Sequence, residues 1–175
     1  MRIEEFDKKA DSALKELDDK AKIHLKELFD EAQKQRVNSE KWNKVWRTLD
    51  EKNYELACNL LSEMRRDYPD DPAVIKTLAV VFICFGQTKD GEEREKLYQK
   101  AEELLLKAEA IKKGYEAYIL GGLFALRGNE NECRKWLEIG EKAGTLETRK
   151  AAMQQDELAS VRDKDWFKAI RWKGE

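Results

Sequence analysis

Apolar residues recur every three or four positions along most of this chain, and the spacing predicts helices nearly throughout. Over residues 2–35 the pattern is clearest. Ile3, Phe6, Ala10, Leu14, Leu17, Ala21, Leu25, Leu28 and Ala32 fall into columns that repeat every eleven residues. Eleven residues over three turns is about 3.67 per turn, so the stripe stays on one face of a long, nearly straight helix. A left-handed heptad seam would need a strict period of seven, which Lys20 and His24 interrupt. Such a one-sided helix requires a surface to lie against.

Shorter helices follow. Asn38 and Ser39 offer N-caps for one carrying Trp42, Val45, Trp46 and Leu49, and Asn53 marks a turn before Leu56, Ala57, Leu60, Leu61 and Met64. Tyr68 to Pro72 forms a sharp connector, with Pro72 placed to open a helix over 73–85 that is apolar nearly all round and that Gly86 ends. Asp90 with Glu93 resembles a capping pair for a helix over 91–111, and Gly114 and Gly128 bracket the next one. Asn129 with Glu132 caps another, and two short helices are expected at about 146–153 and 163–170. The organisation is therefore a long amphipathic helix over 1–37, a helical hairpin array over 38–143, and capping helices over 144–175.

Composition narrows the reading. Charged residues are 40% and hydrophobic residues 41% of 175, with 2 prolines, so the chain suits helices with one apolar and one charged face rather than disorder. The 34 basic and 36 acidic residues are well mixed and provide no electrostatic funnel for a phosphate backbone; nucleic acid is not an expected partner. The longest apolar run, Leu78 to Phe85, is too short to span a bilayer, and Glu4, Glu5 and Asp7 stand where a signal peptide would be apolar. Cys58, Cys84 and Cys133 are odd in number and far apart, which suits reduced, packed thiols in a cytoplasmic protein.

The hairpins are self-similar. Val45, Ala79 and Gly121 occupy matching small positions in first helices, and Ala57, Ala101 and Cys133 do so in second helices. Val45 and Ala79 are 34 residues apart, Ala57 and Ala101 44, and Ala101 and Cys133 32, so one period recurs with an insertion and a shortened loop. Helices nest at this spacing when small residues meet bulky ones. Over 40–143 the chain resembles the tetratricopeptide repeat family. Its end, Asp156-Glu157-Leu158-Ala159-Ser160-Val161-Arg162-Asp163-Lys164-Asp165-Trp166-Phe167, is similar to the end-of-group form that closes bacterial arrays. The resemblance implies an all-α fold, an α-α superhelix of about three hairpins whose tail covers the open edge with Leu158, Val161, Trp166 and Phe167. It also implies a concave groove on the first helices. Projection places Trp42, Trp46, Leu49, Lys76, Val80, Ile83, Tyr115, Tyr118 and Gly122 near that groove. Of the Lys, Asn and Arg with which such grooves grip a terminal carboxylate, only Lys76 is present.

No residue set points to catalysis, a cofactor or a metal. His24 is the only histidine and has no convergent ligands in the pattern, and the cysteines lack C-x-x-C spacing. Adjacent helical residues diverge by about 100°, so the acidic doublets Glu4-Glu5, Asp18-Asp19, Asp70-Asp71 and Glu92-Glu93 rarely converge on one substrate and read as solvated faces and caps. Gly121-Gly122 follows no strand. A non-enzymatic protein-interaction scaffold or adaptor is expected, with a protein or peptide partner. The alternative is a dedicated chaperone or immunity-type inhibitor, dimeric through the first helix. The stripe of Ile3, Phe6, Leu14, Leu17, Leu25 and Leu28 either fills the groove or pairs with a second copy. Trp42 and Trp46 are either groove anchors or core of the first hairpin.

Overall fold

The computed structural model describes Lys26 and residues 37–174. The stripe from Ile3 to Leu28, and His24 within it, lie outside the described residues. The chain divides into two compact units, Met1–Trp46 and Arg47–Glu175. In the first, helix α1 (37–50, which continues into the second) buries Val45, while Trp42 and Trp46 stack on each other with ring centroids 5.5 Å apart.

The second unit is all-helical among the described residues: α2 (Tyr54–Asp67), α3 (Pro72–Gln87), α4 (Gly91–Ile111), α5 (Ala117–Leu126), α6 (Glu130–Ala143), α7 (Arg149–Gln154), a 3₁₀ turn (Asp156–Leu158) and α8 (Asp165–Ala169). Packing is largely between neighbours in sequence. Helix α3 lies against α2 and α4, α5 lies against α6 and the 3₁₀ turn, and α4 meets α5 more lightly. The central position of α3 accounts for its composition: Val74, Ile75, Leu78, Ala79, Val81, Ile83 and Gly86 are all buried.

Local chemistry sets most boundaries. The Asn53 and Asn129 side chains accept from the N–H groups of Leu56 and Glu132, and Asp71 accepts from Ala73 and Val74 just before Pro72. Gly128 and Gly144 have φ of 71° and 68°, the left-handed conformation that stops a helix cheaply only at glycine.

Four expectations change. Asn38 and Ser39 lie inside α1 rather than at its cap, since the helix already runs through Val37. Gly86 does not end α3, which continues to Gln87; a Cβ at Gly86 would come within 2.5 Å of the Tyr98 ring, so its role is close approach to α4. Asp90 does not cap α4 with its side chain, because its carboxylate accepts from the Arg94 guanidinium at 2.8 Å. The two terminal helices are shorter and later than the spacing predicts, at Arg149–Gln154 and Asp165–Ala169.

All six small residues at the recurring interval are buried: Val45, Ala57, Ala79, Ala101 and Cys133 at 0% exposure, and Gly121 against Leu137. The tail seals α5 and the start of α6. Leu158, Val161, Phe167 and Trp172 are buried, the Trp172 ring meets Tyr118 edge-on, and Glu130 accepts from the Trp166 indole N–H at 2.8 Å and pairs with Lys164 at 2.8 Å.

Candidate docking cleft

A cleft of about 420 Å³ opens between α3, α5 and the tail. Its α3 wall is a single stripe, since Lys76, Val80 and Ile83 follow the helical four-and-three step, with Cys84 beside them. The α5 wall is Tyr118, Ile119, Gly122 and Leu123. The third wall comes from Glu147, Ala151 of α7, Gln155, Glu157 and Leu158. Gly122 brings the last two walls together, because a Cβ there would already stand 3.4 Å from Glu157 Cβ.

The lining is mainly apolar and carries three charged residues, Lys76, Glu147 and Glu157. Lys76 is the one cation in the lining. Its ammonium lies 3.8 Å from the Glu116 carboxylate and 5.6 Å from the Tyr115 ring centroid. Glu116 is 2% exposed, and burial pushes its carboxyl above the ordinary carboxylate range, with Lys76 drawing it back and Glu109 adding to the rise. Glu109, also buried, stitches the turn below: its two oxygens accept from the backbone N–H groups of Gly114 and Glu116. Glu147 and Glu157 make no side-chain hydrogen bond or ion pair among the described residues. The Tyr118 hydroxyl is buried and has no hydrogen-bond partner there. Burial first, then the Glu147 and Glu157 charges, push its pKa up to about 12, so it remains a neutral donor and acceptor.

Of the residues projected onto a groove, Lys76, Val80, Ile83, Tyr118 and Gly122 come together in this cleft. Tyr115 is 47% exposed and lies under the Lys112 ammonium, 4.1 Å from its ring centroid, outside the lining. Leu49 is half-buried and also outside it, and Trp42 and Trp46, the latter 51% exposed, belong to the other unit. Glu147, Gln155 and Glu157 were not anticipated. They reach the cleft only because the tail turns back on α5, and charged residues in a capping segment carry no periodic signal of that.

The cysteines are not poised for chemistry. Burial pushes the Cys58 thiol up to about 11 and the Cys133 thiol up to about 12, and raises Cys84, so all three are protonated at neutral pH. Among the described residues no group of His, Cys, Asp and Glu could hold a metal ion, and no helix is long and apolar enough to cross a membrane. The chain matches no protein-family model, no curated protein and no solved structure.

Proposed function

We propose that this chain is a tetratricopeptide-like helical repeat module that acts as a non-enzymatic interaction scaffold, taking apolar side chains of a protein partner into the α3/α5 cleft. The hairpins α3/α4 and α5/α6 are units of the repeat in this reading, and the segment after Gly144 closes it. The observation that carries the reading is the cleft itself. It encloses about 420 Å³, within the range of small ligand sites, and its α3 wall carries Val80, an apolar residue left 36% exposed. Burial of the six small residues at a repeating interval supports the array.

Binding in this mode draws on the transfer of apolar side chains from water, about 25 cal/mol per Å² removed, with the charged rim setting selectivity. The test is site-specific photocrosslinking in cells. Benzoylphenylalanine at position 80 should capture a protein partner, and the same group at Leu106, an exposed apolar residue of α4 outside the cleft, should not. Capture that requires position 80 and disappears with Ile83→Arg supports docking in the cleft. Equal capture at 80 and 106, or none, removes the reading.

A further inference from the structure

The cleft is acidic on one wall only, and that asymmetry says more about its occupant than the aliphatic floor does. Glu147 and Glu157 both line it from the tail side, and neither carboxylate is neutralised by a described residue. Lys76, the cation in the lining, faces Glu116, and Arg162, whose guanidinium donates to the Gln155 carbonyl, makes no ion pair with either acid. Tyr118 lines the cleft as well, and the Glu147 and Glu157 charges add to burial in raising its pKa.

We infer that the cleft selects a protein segment in which a Lys or Arg adjoins the apolar anchor, the cation meeting Glu147 and Glu157. The inference rests on the docking reading above and names the partner's chemistry. The apolar anchor packs on the aliphatic lining residues Val80, Ile83, Ile119 and Leu158. Arginine is favoured over lysine, since its planar fork carries enough donors to reach two carboxylates together. An acidic segment is rejected, because its carboxylate would face two like charges across a low-dielectric floor.

Three alanine-based helical peptides, each with two leucines one turn apart and differing only in Arg, Gln or Glu on the next turn, are titrated into the ¹⁵N-labelled full chain. The Arg peptide should shift the amide signals of Val80, Ile83, Gly122 and Leu158 and bind about 10-fold tighter than the Gln peptide, with the Glu peptide weakest. That preference should vanish in the Glu147→Gln, Glu157→Gln double variant, whose folding is checked by circular dichroism. Equal binding of the Arg and Gln peptides at the same amides overturns the charge selection and leaves apolar docking standing. No shift at those amides with any peptide removes docking itself. Phenethylammonium chloride that matches the Arg peptide in affinity would assign the site to a free amine and overturn the peptide assignment.

Discussion

Single side chains hold the turns of this protein, and their removal should be measurable. Glu109 bonds two backbone N–H groups, those of Gly114 and Glu116, inside a buried connection. Glu109→Ala leaves both donors unpaired, so the chain should lose about 2–3 kcal/mol in urea unfolding. Lys52, at φ 54°, is the only non-glycine described residue with a left-handed backbone, where α1 gives way to α2. Lys52→Gly should raise stability by up to about 1 kcal/mol, visible as a later urea midpoint at unchanged slope. Glu116 provides a pH signature. Its folded carboxyl titrates above the ordinary range while the unfolded one does not, so the folded state binds more protons between those two points. The contribution of Glu116 to stability should therefore be fully present below the ordinary carboxylate pKa and be lost as pH rises through the folded value. Urea midpoints across that window should fall with rising pH, and Glu116→Gln should flatten the slope and be the more stable form at neutral pH.

At the scale of helices, the pattern of apolar residues was largely sufficient. Ala79, Ala101, Gly121 and Cys133 were legible as packing positions because a helix that must nest against another cannot hide a large side chain there, and all four are buried. Gly121→Ala tests this: its Cβ would come within 2.8 Å of Leu137, itself fully buried, and overpacking of that kind should cost about 1–3 kcal/mol by thermal or urea unfolding. The ends of helices were less legible. Gly86 looked like a stop, yet it is a contact with Tyr98, and the same residue type serves both roles. Asp90 looked like a cap but is claimed by Arg94, a competition between two local hydrogen bonds that residue spacing does not rank. The cleft was half legible. Its α3 and α5 walls follow from helical steps, whereas Glu147 and Glu157 depend on how an aperiodic tail folds back.

For the molecule as a whole, the segment after Gly144 is both a lid on the α5/α6 edge and a wall of the cleft. Phe167, at 0% exposure and packed on Trp172, anchors it, and Phe167→Ala should cost about 3–5 kcal/mol. If the tail opens as its own unit, hydrogen exchange in the variant should accelerate at Leu158, Val161 and Ile170 well before it does in α3. Under the proposed docking function, recognition and local folding become one equilibrium, because one wall of the cleft is made of short helices after Gly144. Apparent affinity will scale with the fraction of molecules whose tail is docked, and a ligand that bridges Val80 and Glu157 will draw that fraction upward. A substitution at Trp172, beyond the pocket lining, should therefore weaken a partner's grip by depleting the receptive form, while the intrinsic contacts of the filled site stay unchanged.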